Sequence, residues 1–322
     1  MAQREPDAAR LPGGYAESPT EIPARGWWQV TKRAWRESRA DNVPMLAAGV
    51  AFFAFLALVP TLIAALTLYG LVADPGQVTE QLRGLSGALP PGARELITDQ
   101  LAAVASSGGR ALTVGLVVSL LAALWSASSG TGHLMTAVNL AYDEEEGRGF
   151  LKQKAIALVL TLGAIVFVLV ALVLVAVLPV AFDVLGLGGV GRVVAQVLRW
   201  LLIVVVVLVG LAVVYRVAPD RDTPRFRWAS VGALVATVLW LLGNIGFSVY
   251  VTFFGHYNKT YGALAGVVVL LLWLYLSCYV VLLGAEINAE AEKQTVRDST
   301  TGPAEPLGRR GAQAADTVAE PD

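Results

Sequence analysis

The chain has 322 residues, is 56% hydrophobic and only 15% charged, and has a mean hydropathy of +0.62. A soluble domain carries about 25% charged residues, so an ordinary soluble globular protein is excluded. The net charge of −1 gives no basis for nucleic-acid binding, and one cysteine, Cys278, excludes an intramolecular disulfide.

Residues 1–25 are polar, rich in Pro and Gly, and contain no apolar core of a signal peptide; they read as a disordered tail. Residues 26–42, GWWQVTKRAWRESRADN, place Trp28 and Trp35 seven apart among basic side chains. That pattern predicts a helix lying in the membrane interface, with the indoles at headgroup depth and Arg and Lys toward anionic lipid. Its ordinary role is to anchor the entry of the first span; a lipid-recognition site is the alternative.

Six stretches then carry no charge: residues 43–72, 111–132, 155–182, 200–215, 228–255 and 260–285. Roughly 20 apolar helical residues cross a bilayer. Five stretches reach that length outright. The fourth reaches it by starting near Val193 and keeping Arg199 near one end, where a long side chain reaches the headgroups. The stretches do not alternate and are too long for barrel strands. The fold class is therefore an all-α polytopic membrane protein with six transmembrane helices in residues 26–290. Between the first two spans, Val78, Leu82, Leu85 and Leu89, then Leu96, Ile97, Leu101 and Val104, keep helical spacing on either side of Pro90 and Pro91. Two short amphipathic helices capping the outer face are predicted there. No convincing internal repeat is present. Residues 291–322 are rich in Ala, Gly, Pro, Thr and charge, and read as a second disordered tail.

Basic residues fix the orientation. Fourteen Lys and Arg flank one side: five in residues 25–39, three in 148–154, four in 216–227 and two in 293–297. Five flank the other: Arg83, Arg94, Arg110, Arg192 and Lys259. Lys and Arg stay cytoplasmic, so both termini are expected in the cytoplasm.

Polar groups inside the spans are costly and therefore informative. Asn244 lies between Gly243 and Gly246, either as glue between helices or as a substrate contact. Pro60 in the first span and Pro179 in the third free carbonyls and are expected to kink their helices. Ser126, Ser128, Ser129 and Thr131 close the second span with small hydroxyls suited to close packing. Glu286 and Asn288, in GAEINAE, close the sixth span. The ordinary reading of Glu286 is a solvated carboxylate; the alternative is a pair with Arg216 or Arg221. In YVTFFGHYNKTYGALAG, residues 250–266, the aromatic rings suit the outer interface and Asn258, Lys259 and Gly262 let the chain reverse. Lys259, between Tyr257 and Tyr261, is a lone cation in an aromatic belt and a candidate rim for lipid phosphate or another anion.

Several of these stretches carry a resemblance. DNVPMLAAGVAFFAFLALVP (residues 41–60), LWSASSGTGHLMTAVNLAYDEEEGRGFLKQK (124–154), YRVAPDR, WASVGALVATVLW, YVTFFGHYNKTYGALAG and LLGAEINAE, in that order, resemble the YihY/virulence factor BrkB family of bacterial inner-membrane proteins. The likeness covers roughly residues 26–292. In one departure, FLALVP lacks the small hydroxyl residue expected shortly before the proline. The resemblance implies six spans and a plasma-membrane location. It says little of mechanism beyond links to transport and envelope lipids. An older ribonuclease BN label on the family is generally regarded as misassigned.

The residues give that label little ground. The two histidines, His133 and His256, fall on opposite faces, and the run Asp143-Glu144-Glu145-Glu146 reads as a solvated charge run. There is no P-loop, no G-x-S-x-G elbow and no CxxC pair, hence no expected cofactor or catalytic or metal-binding set. Three classes remain: a transporter or lipid translocase handling an amphipathic or anionic substrate, a non-transporting envelope scaffold, and last a ribonuclease. The first best accounts for prolines, buried polar groups and the long outer connection together. Membrane lipids are the expected partners. Candidate pathway residues are Pro60, Asn244, Lys259, Tyr261, Glu286 and Asn288, with Trp28 and Trp35 as anchors.

The orientation has a direct test. In a Cys278→Ser background, cysteines replacing Ser86 and Lys259 should react in whole cells with an impermeant thiol reagent. Cysteines replacing Glu145 and Asp222 should not. The opposite labelling pattern inverts the topology.

Overall fold

A computed structural model describes residues 9–72, 114–178, 182, 189–254 and 263–320. A 3-10 turn, Pro19–Glu21, precedes α1 (Ala24–Ala40). The long helices are α2 (Val43–Val72), α3 (Val114–Ala141), α4 (Phe150–Leu172, prolonged by a π turn, Val173–Val177), α5 (Gly189–Val217), α6 (Phe226–Phe254) and α7 (Ala263–Glu292). A final turn of helix, α8, spans Gln313–Asp316. Among the described residues there is no named strand, only an isolated bridge between Pro224 and Thr300.

The long apolar runs form helices because a helix satisfies its own backbone where water cannot. Five helices are long and apolar enough to cross a membrane over their described residues: α2, α4, α5, α6 and α7. The second predicted span corresponds to α3, which packs along α2 and α4. The predicted outer cap and the YNKTYG turn, with Tyr257, Lys259 and Tyr261, lie outside the described residues. Helix α2 continues across Pro60, and the Thr61 hydroxyl donates to the Ala57 carbonyl at 2.7 Å. Turns are set by residues that tolerate left-handed backbone: Asn42 (φ 53°) between α1 and α2, and Asp143 (φ 56°) after α3.

The helices pack in chain order, α2 on α3, α3 on α4, α4 on α5, α5 on α6, α6 on α7, and α7 back on α2. The result is a ring in sequence order. Its buried core gathers at one end: Val43, Ala47 and Val50 of α2 meet Met135 and Val138 of α3, Tyr215 of α5, and Leu282, Ala285 and Ala289 of α7. Elsewhere the spans expose valine and leucine outward, as lipid-facing helices do.

At that same end lie α1, the turns after α3 and α5, and both tails. The described residues of both tails, expected from sequence to be disordered, make hydrogen bonds at this end. Gln294 donates to the Pro12 carbonyl at 2.9 Å, the Val296 amide to Gly14 at 2.9 Å, and the Ala319 amide to Lys293 at 2.8 Å. Asp298 takes the amides of Thr300 (2.9 Å) and Glu305 (2.8 Å), while Arg310 donates to the carbonyls of Val296 and Ala315, both at 2.7 Å. Polar bonds hold these residues together with a small apolar cluster of Ala16, Ile22, Val30, Trp228 and Ala291, and composition registers neither. Helix α1 is amphipathic as expected. Trp28 and Trp35 are 71% and 48% exposed, and Arg39 lies over the Trp35 ring at 5.0 Å. Arg33, however, points into the bundle.

Helices α6 and α7 cross closely at Gly232 and Gly284. A methyl on Gly232 would strike the Gly284 carbonyl and the Asn288 side chain; one on Gly284 would strike the Tyr215 hydroxyl and Ala236. Gly232→Ala and Gly284→Ala should each cost about 1–3 kcal/mol by overpacking. A methyl on Gly246 would meet nothing within 4 Å, so that position should tolerate alanine. Thermal melting of the purified variants in detergent checks this; a Gly284→Ala protein as stable as wild type would contradict the crossing.

Candidate functional site: a buried polar cluster at one end of the bundle

The last turns of α7 read GAEINAEAE. Spacing of four places Glu286 and Glu290 on one face, with Lys293 next, and Asn288 and Glu292 on another. All four of Glu286, Asn288, Glu290 and Glu292 are at most 3% exposed. Burying charge demands partners, and the chain supplies them from distant segments.

On the first face, Arg33 of α1 donates through Nε to Glu290 Oε2 at 2.6 Å and through Nη2 to the Gln294 side chain at 2.6 Å. Lys293 Nζ bridges Glu290 and Asp143, each at 2.8 Å. Burial opposes the Lys293 charge, but the Glu290 carboxylate and Asp143 outweigh it and hold its pKa above the ordinary lysine range. On the second face, Arg221 donates from both Nη atoms to Glu292, at 3.1 and 2.6 Å, and both side chains are fully buried. The Ser299 hydroxyl also donates to Glu292, and the Arg221 guanidinium lies over the Tyr142 ring at 5.1 Å. Burial again opposes the charge of Arg221, yet Glu292 raises its pKa. Asn288 fastens α7 to α6, accepting from the Gly232 amide at 2.6 Å and donating to the Ala229 carbonyl at 3.2 Å.

A third network ties the flanking turns. Arg148 donates to both oxygens of Glu146 at 2.6 Å and to the Ala218 carbonyl at 2.9 Å. Asn139 accepts from the Asp220 amide at 2.7 Å and donates to Glu146 at 3.0 Å. The Arg148 hydrogen bonds hold Glu146 below the ordinary carboxylate range. Asp41, on the α1–α2 turn, is held above it, first by burial and then by the charges of Asp143 and Glu37.

The acidic run is therefore not a simple solvated stretch: Asp143 binds Lys293, Glu144 accepts the Gln313 amide at 2.7 Å, and Glu146 binds Arg148. These partners point apart. Among the described residues no group of three His, Cys, Asp or Glu side chains is arranged to hold a metal ion. His133 stacks on Phe53, with ring centroids 3.5 Å apart; His256 lies outside the described residues.

Of the residues singled out from sequence, Glu286 and Asn288 belong to this cluster. Glu286 is 2% exposed rather than solvated, and Arg221 pairs with Glu292 instead. Asn244 stands apart, on α6. Its amide donates to the Trp240 carbonyl at 2.7 Å and its oxygen accepts from Trp273 of α7 at 2.9 Å, while Trp240 donates to Ser277 at 3.1 Å. This is the geometry of an interhelical fastener. Pro60 lies in α2, and Lys259 and Tyr261 fall outside the described residues. Sequence reasoning missed Arg33, Tyr142, Glu290 and Glu292. The signal for Glu290 and Glu292 was the polar spacing of four carried to the end of an otherwise apolar helix; Arg33 and Tyr142 had no such local signal.

Truncating Arg221 leaves Glu292 buried without its counter-charge, so Arg221→Ala should cost about 3–5 kcal/mol. The double change Arg221→Met with Glu292→Leu should recover most of that loss. Melting temperatures of the two singles and the double check it; additive losses would mean the pair is not coupled.

The virulence factor BrkB family model matches residues 34–307. A ribonuclease-like protein, YfkH, of Bacillus subtilis (strain 168) is 34% identical over 259 residues, 77% of this chain and 90% of the relative. A UPF0761 membrane protein of Photobacterium profundum is 28% identical over 257 residues, 79% of this chain and 78% of the relative. One from Aeromonas salmonicida (strain A449) is 43% identical over 104 residues, about a third of each chain (32% and 34%). No solved structure matches the chain. With its apolar helices and a match covering most of its length, the chain belongs to the virulence factor BrkB family of membrane proteins.

Proposed function

We propose that this protein is a transporter or lipid translocase for an amphipathic or anionic envelope substrate, and not an enzyme. It would sit in the bacterial plasma membrane with both termini cytoplasmic. The observation that carries the reading is the buried ionisable cluster. Glu286, Glu290 and Glu292 occupy the end of a membrane helix, where apolar side chains would be cheaper. Intramembrane ionisable groups are costly, and their ordinary justification is a pathway or a gate. Here Glu290 and Glu292 are joined to Arg33 and Arg221 from other segments and to Lys293 just past the helix end, which suits a closed inner gate. The four segments that carry the basic excess meet at this end, which supports placing it in the cytoplasm.

A second reading, a non-transporting scaffold, draws on a different observation. Asn244, Asn288 and Glu292 are fully engaged with partners, as fasteners would be. The ribonuclease reading has the weakest support, since three of the four carboxylates of the acidic run are engaged separately.

Proteoliposomes containing a labelled anionic lipid separate the first two. Wild type should scramble the label faster than empty liposomes, and Arg33→Gln, which loosens the gate, should raise the rate several-fold per folded molecule. Asn244→Leu should leave the rate intact and cost about 0.6 kcal/mol of stability. Wild-type rates equal to empty liposomes under both proton and sodium gradients remove the lipid-translocase version.

A further inference from the structure

Glu286 is the buried carboxyl that the ion-pair network leaves out. It is 2% exposed, and its Oε1 has no hydrogen-bond partner among the described residues. The neighbouring cations are committed elsewhere: Arg33 to Glu290, Arg221 to Glu292, and Lys293 to Asp143 and Glu290. The groups facing Glu286 are Asp41 on the α1–α2 turn, Tyr142 and Asp143 after α3, Glu290 on its own helix and Lys293 just past the end of that helix. Of these, only Lys293 is positive, and two carboxylates already share it. The Tyr142 hydroxyl is fully buried beside Asn288. An ionised carboxylate in this setting is strongly disfavoured, and a neutral acid is the form that burial tolerates.

We propose that Glu286 and Asp41 form a proton-binding site at this end of the bundle, with Glu286 storing the proton and half-buried Asp41 exchanging it with water. On release, the O–H bond of the Glu286 acid breaks and its proton passes to the Asp41 carboxylate. From Asp41 it passes to a water molecule, leaving Glu286 negative. Loading runs in reverse. Asp41 suits the relay because burial and the nearby charges of Asp143 and Glu37 keep its proton affinity above that of an ordinary aspartate. Once negative, Glu286 repels Glu290 and Asp143 and competes for Lys293, so the proton also sets how firmly the end is closed. The buried Tyr142 hydroxyl is a donor on the facing turn for the carboxylate form. This site does not depend on the protein being a transporter.

Infrared difference spectroscopy of the full chain in lipid nanodiscs tests it, comparing neutral with alkaline pH. Wild type should show the carbonyl stretch of a protonated carboxylic acid at neutral pH, lost on alkalinisation. Glu286→Gln should lack that band. Asp41→Asn should move its titration midpoint down by about one pH unit, because a like charge is removed. Melting temperature gives a second readout. Asp41 binds its proton more tightly folded than unfolded, so the stability it contributes is full at low pH and is lost as pH rises through its folded titration. Asp41→Asn should make that decline shallower. A band absent from wild type, or unchanged in folded Glu286→Gln, overturns the storage site; an unmoved midpoint in Asp41→Asn overturns the pairing. If Glu286→Gln does not fold, carboxyl-13C glutamate in a Glu144→Gln chain should shift the band, and an unshifted band overturns the proposal.

Discussion

The structure depends on one electrostatic constraint, that carboxylates buried at the end of α7 must be met by positive charge. Burial takes them out of bulk water, and desolvating a carboxylate costs several kcal/mol unless a partner sits in good geometry. Glu290 and Glu292 find theirs in Arg33 and Arg221, on segments far away in sequence. Those two bonds draw α1 beneath the bundle and fix the turn between α5 and α6. They also decide where the tails go, because Gln294 shares Arg33 and Ser299 shares Glu292.

The uneven packing follows. Lipid tails are as apolar as leucine, so burial gives transmembrane helices little reason to associate. Close contact then relies on small residues and polar bonds. Both concentrate at the polar end, where Gly232 and Gly284 let α6 and α7 touch and Asn288 bonds across the gap. Farther along the same pair of helices, Asn244 with Trp273 and Trp240 with Ser277 make two more such bonds. Between and around these points the valines and leucines of the spans face outward.

The helices were legible because an uncharged run of this length has few alternatives in a bilayer. Helix α1 was legible too, through Trp28 and Trp35. The cluster was legible only in part. Glu286 and Asn288 were visible as polar residues in an apolar context, but their partners were not, because pairing between segments far apart in the chain leaves no local pattern. Arg33 looked like one more interfacial cation until its position on α1 turned it inward. Arg221 was a foreseen partner, but for Glu286; the register of α7 gives it Glu292, closer to the helix end. The bonds of the described tail residues were hidden for a different reason. Composition measures apolar content, whereas Asp298 and Arg310 organise residues 295–316 through backbone amides and carbonyls.

The same register explains why Glu286 differs from its neighbours. A cation can reach Glu290 and Glu292 from the polar end, because these residues occupy the last turn of α7. Glu286 lies a turn deeper, where an approaching arginine would have to bring its own charge farther from water. Along its face, Arg33 and Lys293 offer two positive charges against Asp41, Asp143, Glu286 and Glu290. A proton is the counter-charge that needs no space and no side chain to carry it. Depth along the helix and the charge balance of that face therefore lead to the same result: the outer carboxylates take arginine or lysine, and the inner one is left to a proton.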